Sequence, residues 1–174
     1  MENKFILDAC CGPRMMWFNK SHPNALYIDI RKEEKGFIKG RNEEVNPDIV
    51  MDFRNLKFKD NTFNLIAWDI PHLKTLGKNS KFRKFYGALD KETWHEDITK
   101  GFNEIIRVLK DKGVLMLKFN DYEIPFKEVL SLFPIQPLFG NVTNSRGKAQ
   151  TKWFCFMKIE EFANATEEET EEEK

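Results

Sequence analysis

The sequence is poor in cysteine and histidine and has no long apolar run. Three cysteines occur in 174 residues, two adjacent (Cys10, Cys11) and one distant (Cys155). They make neither a disulfide framework nor a C-x-x-C metal pattern, so no metal site is expected. The three histidines, His22, His72 and His95, form no ligand spacing. No apolar stretch approaches the roughly 20 residues that a membrane span requires. Met1 to Lys4 lacks the layout of a signal peptide. A reducing, cytoplasmic setting is the expectation.

Net charge is also missing, because 28 basic residues balance 28 acidic ones. The balance hides an asymmetry. From Ile159 onward there are eight glutamates and one lysine, leaving 27 bases and 20 acids before it. The expected organisation is one domain over residues 1–158 and an acidic, flexible tail over 159–174. A block such as Glu167 to Glu173 repels itself. It reads as a solvated tail, or as a cover that competes with an anionic ligand for the basic part.

What is present is a core. Apolar residues make up 41% of the chain and 16 are phenylalanine, which suits a packed globule. Lys4 to Cys10 reads as a first strand, followed by a turn at Cys11-Gly12-Pro13-Arg14. Met15 to Phe18 reads as a buried helix face. Ala25 to Ile30 is a second strand and Ile49 to Met51 a third. The fourth is the apolar run Leu65 to Trp68, which leads into Asp69-Ile70-Pro71-His72. Pro71 has no N–H for a ladder, so the strand must stop there. Residues 74–91 read as a long basic and aromatic loop over the site, with room for a helical turn. Thr93 to Leu109 has helical spacing, with Trp94, Ile98, Phe102, Ile105, Ile106 and Leu109 on one face. Asp111-Lys112-Gly113 is expected to stop it. Val114 to Phe119 reads as a buried, apolar fifth strand, and Pro125 to Phe133 as a short helix. Ile135 to Phe139 and Lys152 to Met157 read as closing strands. Alternating strands and helices predict an α/β fold: a Rossmann-like, doubly wound, mostly parallel sheet with an antiparallel hairpin at one edge.

Four aspartates fall at or near the ends of the first four strands: Asp8, Asp29, Asp52 and Asp69. In open α/β sheets those ends line one ligand crevice. Asp29 lies 17 residues after Gly12, near the spacing at which a carboxylate meets a ribose diol. Asp52 and Phe53 would supply a polar contact and an aromatic edge for an adenine ring. The alternative is four turn formers and helix caps. Arg14 is open between a ligand carboxylate and an internal aspartate.

These residues resemble those of class I S-adenosylmethionine-dependent methyltransferases, in particular the small single-domain type of phages and prophages. The similarity rests on Leu7-Asp8-Ala9-Cys10-Cys11-Gly12-Pro13-Arg14-Met15-Met16-Trp17-Phe18, on Pro47 to Leu56, on Asp69-Ile70-Pro71-His72-Leu73 and on Lys152 to Lys158. It covers roughly residues 4–158. The resemblance implies S-adenosylmethionine as cofactor. It places Asp8, Cys10, Gly12 and Arg14 in or beside the loop under its methionine part, Asp29 at the ribose, and Asp52 and Phe53 at the adenine. Asp69, Pro71 and His72 form the methyl-acceptor end, with Asp69 also facing the cofactor. An amino nitrogen of a nucleic-acid base is the leading acceptor. DNA or RNA would approach through loop 74–91 and the connection 141–151, where aromatics and cations are interleaved. A small-molecule or protein methyltransferase, or a non-catalytic S-adenosylmethionine-binding regulator, is the alternative. No membrane partner is expected.

Overall fold

The computed structural model describes residues 3–141 and 149–159. Seven strands form one sheet: β1 (Ile6–Asp8), β2 (Ala25–Asp29), β3 (Ile49–Val50), β4 (Phe63–Asp69), β5 (Leu109–Asn120), β6 (Phe139–Gly140) and β7 (Thr151–Met157). Their order is β3-β2-β1-β4-β5-β7-β6. Strands β1 to β5 pair in parallel, while β7 runs antiparallel to both β5 and β6. The predicted fold class is therefore the observed one. The order reverses between β1 and β4, where Asp8 is in register with Ala67. That is the switch point at which such sheets bind ligands.

Among the described residues three helices accompany the sheet: α1 (Lys81–Tyr86), α2 (Trp94–Val108) and α3 (Phe126–Leu130). Helix α2 buries Trp94, Ile98, Phe102 and Ile105 of the predicted stripe, together with Val108, while Ile106 is half-buried and Leu109 already belongs to β5. Glu96 and Asp97 in its first turn and Arg107 in its last complement the helix dipole. Gly101 lets it approach closely, because a Cβ there would come within 2.5 Å of the Phe53 ring. Trp68 is fully buried beneath, edge-on to Phe53, and Phe102 stacks on Phe133 at 4.0 Å.

Several expectations are corrected. Met15 to Phe18 is not a helix but a series of turns, with Met15 58% exposed and Phe18 fully exposed. Gly12 and Arg14 both have positive φ, 46° and 55°, and Pro13 between them has no N–H to donate. An α-helical ladder cannot run through that sequence. Asp111-Lys112-Gly113 does not end α2. The helix stops at Val108 and the chain passes directly into β5. The triplet makes an irregularity in that strand, where the register with β4 shifts and Lys112 has φ 62°. The Ile135–Phe139 strand shrinks to Phe139–Gly140, since Pro134 and Pro137 cannot donate to a ladder. Within residues 74–91 the chain forms a short helix, α1, of six residues, in keeping with a loop that holds a helical turn. The acidic tail and most of the 141–151 connection lie outside the described residues.

Candidate functional site

One cavity of about 680 Å³ opens at the carboxyl ends of the central strands. That volume is within the range of small-molecule sites. Its walls bring together Gly12 from the first loop, Asp29 at the end of β2, Asp69 at the end of β4 with the following Ile70 to His72, and Lys118 near the end of β5. Helix α1 closes one side with Phe82 and Tyr86.

Asp8 lies beneath this cavity rather than in its wall. It is fully buried. Its Oδ2 accepts from the Trp17 indole at 2.7 Å, and its Oδ1 accepts weakly from the Cys10 amide at 3.3 Å. Burial pushes the Asp8 carboxyl up to about 7, against those two hydrogen bonds. Asp8 thus pins the loop that ends at Gly12. Cys10 lines the cavity, and burial pushes its thiol well up, which disfavours the thiolate form.

Gly12 donates its amide to Asp29 Oδ2 at 2.9 Å. Nothing would obstruct a Cβ there, so its positive φ is the reason for glycine. Asp29 is 2% exposed. Its Oδ1 accepts from the amide of Arg31 at 2.9 Å and from Arg31 Nε at 3.2 Å. The Arg31 guanidinium also donates to the Lys84 carbonyl in α1 at 2.8 Å. Arg31 therefore ties the acid of β2 to the helix across the cavity.

Asp69 ends β4, and Lys118 of β5 stands opposite in register. The Lys118 ammonium donates to Asp69 Oδ2 at 2.5 Å. Burial raises the Asp69 carboxyl above the usual range, and Lys118 works against that rise. Next to it, burial lowers the His72 imidazole below its ordinary value, with Asp69 opposing. The His72 ring faces Phe119 edge-on at 6.2 Å and lies 6.5 Å from Tyr86. Ile70 turns into the core, 1% exposed. Pro71 abuts Gly87, where a Cβ would meet its ring at 3.2 Å and where φ is 78°. The turn after Asp69 is thus fixed from both sides.

Phe82 and Tyr86 stand four apart on α1 and stack at 6.4 Å with planes 16° apart. They are 62% and 49% exposed, while Phe85 between them is buried under Arg41. Phe85 serves the core as well as the cavity wall, and the other two form its rim.

Besides Asp8, three predicted site residues lie apart from the cavity wall. Arg14 pairs with Asp48 at 3.1 Å and covers the Tyr27 ring at 3.7 Å, so the internal-aspartate alternative is the observed one. Asp52 is gripped by Arg54 at 2.6 Å, and Arg54 also reaches Asp97. Burial would raise the Asp52 carboxyl, but the Arg54 contacts outweigh it and leave it below the usual range. Phe53 packs on Trp68. Conversely, Arg31 and Lys118 also line the cavity, although no motif in the sequence marks them. Lys118 interrupts the apolar run of β5 at its carboxyl end, and that interruption was the available signal.

No family model and no curated protein matches the chain. Solved structures do. It is similar to a SAM-dependent methyltransferase from Methanosarcina mazei at 15% identity, covering 91% of this chain and 94% of that one, with a TM-score of 0.55. It is also similar to a Pyrococcus horikoshii OT3 protein at 16% identity, covering 91% and 84%, with a TM-score of 0.52. Together with the strand order, these likenesses assign the chain the Rossmann-like class I methyltransferase fold.

Proposed function

We propose that the protein is an S-adenosylmethionine-dependent methyltransferase acting on an amino nitrogen, with a nucleic-acid base as its acceptor. The observation that carries this reading is the meeting of Gly12, Asp29 and the Asp69–His72 turn in one cavity at the switch point of the sheet. When bound, the cofactor supplies an electrophilic methyl group. The donor set fits it: Asp29 faces the cavity with a buried carboxylate for a diol, and the Gly12 turn leaves open space beside its backbone. The absence of a glycine-rich phosphate loop is no obstacle, since the sulfonium compound carries no phosphate.

The chain's own task is alignment. An exocyclic amine is a poor nucleophile because its lone pair is delocalised into the ring. The Asp69 carboxylate and the Ile70 carbonyl, held by Pro71, are acceptors that draw the nitrogen towards a tetrahedral geometry. Asp69 also stabilises positive charge developing there, and it is the acceptor the chain offers for the amino proton that must leave. The exposed Phe82 and Tyr86 rings suit stacking of unpaired bases, and Lys81, Arg83 and Lys84 on the same helix suit a phosphate backbone. These features favour nucleic acid over a small molecule or a protein side chain.

Calorimetric titration with S-adenosylmethionine and S-adenosylhomocysteine, on wild type and Asp29→Ala, tests the cofactor. Binding by wild type that is lost or much weakened in the variant is expected. No binding by wild type refutes the assignment. A labelled-methyl screen of single-stranded DNA, RNA and small amines then tests the acceptor.

A further inference from the structure

We propose that Lys118 is a specificity-determining residue that donates a hydrogen bond to the ring nitrogen beside the amino group held by Asp69. The inference rests on the methyltransferase reading above and names the edge of the base that the site accepts. Lys118 and Asp69 are register partners on adjacent parallel strands, so the sheet itself holds them side by side. Both line the cavity, with side chains 27% and 32% exposed. An ammonium has three N–H donors and no acceptor. Among the described residues its hydrogen-bond partner is Asp69, which leaves two N–H groups. The Trp153 ring, 6.0 Å away, offers only a weak electrostatic contact.

The pair therefore presents an acceptor next to a donor. Adenine and cytosine present the complement: an amino donor next to a ring-nitrogen acceptor. Uracil and thymine present the reverse, a carbonyl that would face Asp69 and an N–H that would face Lys118. A buried donor set against a donor loses its hydrogen bond and pays the cost of desolvation. The charge balance points the same way. Asp69 and Lys118 together are neutral, which suits a neutral base edge. A protonated alkyl amine would enter against the Lys118 ammonium. Lys118 thus selects a delocalised amine over an alkyl one, and one base edge over another.

The test is a cycle between the side chain and the ring atom. Calorimetry first establishes that wild type binds S-adenosylhomocysteine. Single-stranded oligonucleotides with one adenine or cytosine in a thymine background are then titrated onto that complex by fluorescence anisotropy. They are compared with the same strands carrying 1-deazaadenine or 3-deazacytosine, which keep the amino group and lack the ring nitrogen. In wild type, removing the ring nitrogen should weaken binding of the accepted base about tenfold. In Lys118→Met the same removal should have almost no effect, and Lys118→Arg should restore the discrimination. Thermal melting confirms that each variant is folded. Wild type that is indifferent to the ring nitrogen, or Lys118→Met that still discriminates, overturns the proposal. Cofactor binding without any oligonucleotide binding overturns it together with the nucleic-acid acceptor. A failure to bind S-adenosylhomocysteine removes the methyltransferase reading beneath both.

Discussion

Replacing Asp8 by asparagine should stabilise the protein at neutral pH and flatten its stability profile. Asp8 is fully buried, and burial pushes its carboxyl up to about 7 in the fold, against an ordinary value of 3.8. Between those values the folded state holds a proton that the unfolded state has released. Stability therefore falls as pH rises, by at most about 1.4 kcal/mol per unit. Across roughly three units the loss is on the order of 4 kcal/mol, a large part of a typical domain's stability. It is absent below the unfolded value and complete above about 7. Asparagine carries no charge at any of these pH values and keeps an acceptor for the Trp17 indole. It forfeits the weak bond from the Cys10 amide, at about 1 kcal/mol. Urea denaturation of both proteins from pH 4 to pH 8 checks this. The difference between them isolates Asp8, since other titrating groups cancel. The variant should be the more stable by roughly 2–4 kcal/mol at pH 8 and near parity or below at pH 4. Parallel profiles, or a variant less stable at pH 8, would show that an ionised Asp8 is well solvated or paired, and the reasoning would fail.

Other outcomes follow from single contacts. Trp17→Phe removes the indole donor to Asp8 and should cost about 1–3 kcal/mol by denaturation, less at low pH where Asp8 is neutral in both states. Gly101→Leu drives a side chain into Phe53 and Trp68 and should cost about 1–3 kcal/mol or more, read from the urea midpoint; an unchanged midpoint would mean that α2 is not packed that closely. Gly87→Ala combines a positive φ with a contact on Pro71, so it should lower both stability and methyl transfer, the second measured at a temperature where the variant is fully folded. Deleting residues 160–174 removes eight glutamates and should tighten oligonucleotide binding at low salt, with the difference shrinking as salt is added; equal affinities would retire a competing tail.

Much of the frame was legible in the sequence. β4 could be placed because an apolar run ends at a carboxylate and a proline, and α2 because its apolar spacing is unbroken over four turns. The acids at the strand ends were found for the same reason, as polar residues that close apolar runs. Met15 to Phe18 misled because four apolar residues in a row carry no period that separates a helix from turns. The two positive φ angles beside them decided the matter.

The strands, their class and the acids at their ends are thus properties of the sequence, since local burial and chain stiffness follow from residue type. The partners of the site's cations are not. Lys118 meets Asp69 across 49 residues, and Arg31 meets the Lys84 carbonyl across 53. Such partners are chosen by strand register and by the path of the crossover. Those depend on the packing of the whole sheet, and no local pattern in the chain encodes them.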